Sequence, residues 1–314
     1  MRGIAVNDAS NLCIIGQEKS ESSLKLLEEA KKRFDTVFFV PINAIGIGLK
    51  DKFSISYRAT DLLKFKAIFP RIPREYCSYA YQLLSLFPPD TYMPIKPISF
   101  LLADERFFLL TVLRKRGINT INLHMTRSSE AASRIIEQLQ YPLVVRTSEK
   151  KTGVVVNNKT EAKSITGALA SLNRPILIED LVDNLISVYV ARNEVIGSVK
   201  KKTKEKDIVF SKGEFKSQKI NLETKQLALD AVTAIDAQVA RVDLTIAKEP
   251  EVVDIDLNPG LIYPSTVLAA NLPEKLMEAV HAGYESHKQK PLLMKFFEDA
   301  KSVVKDVLGT KQLL

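Results

Sequence analysis

Three aspartates sit inside apolar β runs near the end of this chain. A sheet that carries them must reserve one face for charge. The runs are VARVDLTIA (residues 239–247) and EVVDIDL (residues 251–257), joined around Lys248, Glu249 and Pro250. Asp254 and Asp256 are two residues apart, so on a strand both point to one side and Ile255 and Leu257 to the other. If the runs pair as a hairpin, Asp243 lies across from them. Three carboxylates on one face repel unless a cation holds them, and an all-oxygen set suits a hard ion such as Mg²⁺, with Asn258 as a further oxygen donor. The alternative is a solvated polar face on an edge hairpin, and the spacing alone leaves it open.

The rest of the chain supplies strands and helices in an order that defines a fold class. Short apolar runs at 3–6, 36–40 (TVFFV) and 66–70 (KAIFP) flank a helical stretch at 20–34, which predicts a parallel α/β unit over residues 1–95. A Pro-rich passage from Pro88 to Pro97 marks its end. Helices are expected at 104–115, 126–139, 161–172 and 222–235, and an antiparallel pair at LVVR (143–146) and VVVN (154–157). ILIED (176–180), SVYVA (187–191) and EVIGSVKKKT follow. The expected division is 1–95, 96–175, 176–290 and a C-terminal helix within 291–314, that is, α/β followed by α+β.

Composition removes several chemistries. The chain has 314 residues with 45 Lys+Arg against 37 Asp+Glu, a net charge of +8. It has two cysteines, Cys13 and Cys77, and three histidines, His124, His281 and His287. Two cysteines make neither a disulfide framework nor a zinc site, and they read as reduced thiols of a cytoplasmic protein. The histidines have no metal-ligand spacing. No apolar stretch approaches the roughly 20 residues of a membrane span, and Asp8 falls where a signal peptide needs an apolar core. Carboxylates, lysines and arginines must carry any chemistry.

The basic candidates are three. Arg146 ends an apolar strand. Lys150 and Lys151 lie in the turn before Gly153, where free backbone N–H groups and ammonium groups suit phosphate, or where a charged hairpin turn simply meets solvent. Lys201 belongs to the run 200–202 at the end of a strand, which is otherwise a solvated loop of mixed charge. In ILIEDLV, Glu179, Asp180 and Leu181 form an acidic break between apolar runs. There a carboxylate could receive ribose hydroxyls and backbone groups could read an adenine edge, or a strand could merely end.

In this order the signals resemble an ATP-grasp ligase of the RimK-like branch, the ribosomal-protein glutamate ligases and their relatives, over about residues 66–282. The quoted pieces are IFPRIP, the helix start at Asp104, LVVR, GVV at 153–155, IED at the hinge, RVDL, and D-x-D-x-N-P-G. The resemblance implies an ATP-grasp fold behind an N-terminal parallel α/β (pre-ATP-grasp) domain. It implies ATP and Mg²⁺ as cofactors, with two ions accommodated and Mn²⁺ as a substitute. Asp243, Asp254 and Asp256 then stand at the metal positions, and Glu179 at the ribose acid with Asp180 and Leu181 beside it. Arg146 stands at the phosphate lysine, Lys201 at the basic residue after the β run, and Lys150, Lys151 and Gly153 in the phosphate lid. Arg146 and Lys201 are the implied catalytic cations.

The implied reaction joins a carboxylate acceptor to an amino-acid donor, glutamate by default, through an acyl phosphate. Neither nucleic acid nor a membrane is an expected partner, and a homo-oligomer is compatible. The departures are Glu105 where the branch has Lys, Arg146 for Lys, a lid with one glycine, Leu185-Ile186-Ser187 for an Asp-x-Arg, a lone Gly213, and Asp254 for Glu. They keep open a second reading, a nucleotide- or partner-binding protein of the same fold without turnover.

Overall fold

The computed structural model describes residues 9–18, 20–49, 52–147, 153–182, 184–202, 214–246 and 249–291. The chain begins with β1 (Asn11–Gly16), α1 (Glu21–Ala30) and β2 (Thr36–Pro41). Ser20 caps α1, its hydroxyl accepting the Ser23 amide at 3.2 Å, which supplies one of the helix's orphan donors with a partner. Three short strands follow, β3 (Gly46–Leu49), β4 (Phe53–Tyr57) and β5 (Thr60–Asp61), then β6 (Ala67–Arg71) and α2 (Cys77–Leu84). β2, β1 and β6 form a parallel sheet in that order. β1 runs NLCIIG with Leu12 to Ile15 wholly buried, so both sheet faces are covered. The expected strand at 3–6 lies outside the described residues. β3, β4 and β5 form a separate antiparallel sheet absent from the expectations.

Next come α3 (Pro97–Asp104) and α4 (Arg106–Lys115). One helix was expected from Asp104. Instead Glu105 is extended, at φ −108° and ψ 116°, and divides two helices. The helical pattern of ADERFF does not announce that break. Its consequence is that Arg106 opens α4 from a buried position.

β7 (Leu123–Thr126), α5 (Ser129–Ile136), β8 (Leu143–Thr147), β9 (Val154–Val156), α6 (Lys159–Ser171) and β10 (Ile176–Asp180) build a small unit. Its strands are antiparallel in the order β7-β10-β8-β9, and α5 and α6 pack together. β8 and β9 pair as the sequence predicts. Asn158 and Glu161 start α6 with a reciprocal cap, Asn158 Oδ1 receiving the Glu161 amide and Glu161 receiving the Asn157 amide. Ala132, Ile136, Leu143, Val145, Val156, Ala162, Ile176 and Ile178 form this unit's own apolar cluster.

The last unit is β11 (Leu185–Ala191), β12 (Glu194–Lys202), β13 (Glu214–Ser217), α7 (Leu222–Ala234), β14 (Val239–Thr245), β15 (Glu251–Asp256), α8 (Ile262–Leu268) and α9 (Leu272–Lys288). Its five strands are antiparallel, ordered β13-β12-β11-β14-β15. α7 packs on this sheet, and Val242, Leu244, Val253 and Ile255 are wholly buried. α9 packs on α1 and on β11 and β12, which joins this sheet and the N-terminal sheet in one apolar core. The expected C-terminal helix lies outside the described residues. No helix among those described is long and apolar enough to cross a membrane.

Candidate functional site

The hairpin of β14 and β15 sets Asp243 directly opposite Asp254 and Arg241 directly opposite Asp256. All four therefore share one face, and their neighbours Val242 and Ile255 point into the core. After the Asp243–Asp254 pair the register slips, so that Leu244 meets Val252 and Val253 is left out of the ladder. That bulge frees the Val253 carbonyl, which receives Arg106 Nε at 3.0 Å.

Arginines hold every acid on this face. Arg74, in the turn after β6, grips Asp254 with both terminal nitrogens at 3.0 and 2.8 Å and also donates to the Ile255 carbonyl. Arg241 grips Asp243 at 3.0 and 2.9 Å and reaches Asp256 at 3.3 Å. Ser187 on β11 donates to Asp243 Oδ1 at 2.6 Å. Burial alone would push the Asp254 carboxyl up, but Arg74, helped by Arg106 and the Ile255 amide, holds it below the usual carboxylate range.

A second cluster lies where β8 and β10 run side by side. Glu179 is buried between two guanidiniums, with Arg146 Nη2 at 3.0 Å from Oε1 and Arg106 Nη1 on Oε2. Burial pushes the Glu179 carboxyl up and Arg106 opposes it, with the negative charge of Asp254 adding to the rise. Arg106 also acts on Asp254, so the two clusters are one electrostatic network. Arg71, the last residue of β6, completes it, donating from Nη2 to the Pro259 carbonyl at 2.6 Å just beyond the acid strand.

The site residues named from sequence fall as follows. Asp243, Asp254 and Asp256 come together on one face. Arg146 and Glu179 come together as an ion pair inside the protein, with Arg106 on the other carboxylate oxygen. Asp180 ends β10 half-exposed and accepts Asn122 Nδ2 at 3.1 Å, and Leu181 follows it. Gly153 leads into β9, and a Cβ there would come within 2.6 Å of a Val144 methyl. Lys201 pairs with Phe215 through the backbone of β12 and β13. Lys150, Lys151 and the side chain of Lys201 lie outside the described residues.

Sequence reasoning did not assign roles to Arg71, Arg74, Arg106 and Arg241. The repeated arginine in PRIPR and the R-x-D spacing of RVD were the available signals. Both thiols are inert interior groups. Burial pushes Cys77 up to about 12 and Cys13 higher still.

A sequence model of the RimK-like ATP-grasp domain matches residues 103–280, more than half of the chain. The chain belongs to the RimK-like ATP-grasp family. A probable alpha-L-glutamate ligase of Enterobacter sp. (strain 638) is 25% identical over 254 residues, covering 76% of this chain and 85% of that protein. The ATP-grasp ligase PsnB, solved with its minimal precursor, Mg and ADP, superimposes with a TM-score of 0.70 at 12% identity, over 87% of this chain and 98% of PsnB. The D-alanine-D-alanine ligase from Coxiella burnetii does so at 0.64 and 17%, over 93% and 99%. These likenesses show the ATP-grasp fold, and the family places the chain among carbon–nitrogen ligases that use ATP and Mg²⁺.

The residues fit those groups in a particular way. Among the described residues no three His, Cys, Asp or Glu side chains stand ready as a metal cage. Mg²⁺ does not need one, because it is commonly held by one or two carboxylates together with substrate phosphates. The acid face of β14 and β15 offers carboxylates of that kind beside buried guanidiniums that match phosphate oxygens.

Proposed function

We propose that this protein is an ATP-dependent carboxylate–amine ligase that joins an amino acid, glutamate by default, to a carboxylate acceptor through an acyl phosphate. The observation that carries the reading is the convergence of Arg106 and Arg146 on one side with Asp243, Asp254 and Asp256 on the other, within one network at the meeting of three sheets. An acceptor carboxylate oxygen attacks the γ-phosphorus and ADP leaves. The amine nitrogen then attacks the acyl carbon, phosphate leaves and the nitrogen loses a proton. Neither step needs a protein nucleophile, so positioning and charge neutralisation do the catalytic work. That accords with a chain whose thiols are buried.

In this reading Arg106 and Arg146 turn from Glu179 to the phosphates, with Lys150, Lys151 and Gly153 as the lid and Lys201 as a further cation. Glu179, released as the arginines turn, forms the hinge for ribose and adenine with Asp180 and Leu181 at the open end of β10. Asp243, Asp254 and Asp256 are the residues that would hold Mg²⁺, as one or two ions, or Mn²⁺ in its place. The ion would supply neutralisation of the phosphate charge.

One observation favours the second reading, a nucleotide binder without turnover. Each acid that would serve a metal already has a guanidinium partner. Thermal unfolding with and without Mg-ATP, in the wild type and in Asp256→Asn, separates the two when paired with a phosphate-release assay. A ligand at 100 times its Kd stabilises the fold by about 2.7 kcal/mol. The ligase reading expects a clear upward shift, smaller in the variant, and phosphate release with some acid–amine pair. A shift without release across an amino-acid and acceptor panel supports the binder, and no shift at millimolar Mg-ATP defeats both.

A further inference from the structure

Arg71 is almost completely buried, yet two of its three guanidinium nitrogens, Nε and Nη1, have no hydrogen-bond partner among the described residues. Leaving charged donors unpaired in the interior is expensive, and a native structure rarely tolerates it without a reason. Burial pulls the group down to about 10, opposed by Asp256 and Tyr189, so it remains a cation at neutral pH.

Two further facts bear on where this cation sits. Arg71 is the last residue of β6, at the carboxyl end of a parallel sheet, where open α/β sheets receive ligands. Its one bonded nitrogen holds the Pro259 carbonyl, and the next residue, Gly260, has open space where a Cβ would stand.

We infer that Arg71 is the anchor for one carboxylate group of the substrate, received between the end of β6 and the 258–260 turn. The phosphates have Arg106 and Arg146 beside β8 and β10, which leaves Arg71 for a carboxylate. This rests on the ligase reading above and deepens it, since it makes the substrate an acid that keeps a charged carboxylate beside the site.

The test uses the full chain with Mg-ADP present, glutarate as the carboxylate probe and glutaramide as its uncharged counterpart, read by thermal unfolding. Glutarate should raise the midpoint of the wild type and glutaramide should not. Arg71→Gln should lose the glutarate shift while keeping the Mg-ADP shift, which a merely structural role for Arg71 would not produce. If Arg71→Gln does not fold, Arg71→Lys takes its place and should weaken glutarate at least tenfold, since an ammonium does not reproduce the guanidinium's contacts. An undiminished glutarate shift in whichever variant folds, or none in the wild type, overturns the inference. Loss of the Mg-ADP shift in the wild type instead overturns the nucleotide reading on which it stands.

Discussion

At the scale of single residues the site is a set of exchanges between arginines and carboxylates, and Arg74 with Asp254 is the one to test. The Arg74 side chain is 26% exposed and that of Asp254 8%. Removing one partner of a buried pair costs about 3–5 kcal/mol, and partial exposure puts Arg74→Gln near the low end, about 3. The cost depends on pH. Asp254 has a folded pKa below its unfolded value, so the pair's contribution is whole above about pH 4 and fades as pH falls through the lower folded value. Denaturant melts of wild type and Arg74→Gln should therefore differ by about 3 kcal/mol at pH 7 and converge in acid. A gap unchanged at pH 3 would show that the loss is packing and not charge. The acids were legible in the sequence because alternation by two along an apolar run fixes a face. Their arginine partners were not, because Arg74 and Asp254 are 180 residues apart and Arg106 and Val253 are 147 apart. Only the assembled fold brings them together.

At the scale of elements, long periodic stretches were legible and short or interrupted ones were not. α7, the β8–β9 pair and the β14–β15 hairpin appear where periodicity puts them. The break at Glu105 was hidden because ADERFF is continuous helix-forming sequence, and the contacts of Arg106 with Glu179 and the Val253 carbonyl come from strands far along the chain. β1 was missed for another reason: NLCIIG is a buried run of four apolar residues with no alternation to mark it. α9 shows how an element is fixed by what it lies against. A Cβ added at Gly283 would land on the Tyr92 hydroxyl, which donates to Gln238 Oε1 at 2.8 Å. Gly to Ala inside a helix ordinarily gains up to about 1 kcal/mol. Here the methyl must displace a ring packed against Tyr284 and His287, and overpacking costs about 1–3 kcal/mol. Gly283→Ala should therefore destabilise, by about 1 kcal/mol or more in chemical denaturation, and Tyr92→Phe/Gly283→Ala should recover part of the loss. A stabilised single variant would mean that α9 docks more loosely than its contacts with Tyr92 indicate.

At the scale of the molecule the described residues form two apolar cores of very unequal size, and the site lies where they meet. The larger joins the N-terminal parallel sheet, the five-stranded sheet and α9. The smaller holds eight buried residues under β7, β10, β8 and β9. A unit with so little buried apolar surface opens at lower free energy than the body it adjoins. Across the boundary run the buried ties of Arg106 to Glu179 and to the Val253 carbonyl. In the proposed reaction these same guanidiniums turn to phosphate, so nucleotide would replace the ties by a stronger bridge. Hydrogen exchange should then show two classes of amides. Those of β8, β10 and α6 should exchange faster than those of β11, β14 and β15 without nucleotide, and Mg-ATP should slow the first class most. Arg106→Gln should speed exchange in β8 and β10 while leaving β11 and β14 unchanged. Equal protection of both classes would mean that the small unit is locked to the large one by something other than this arginine.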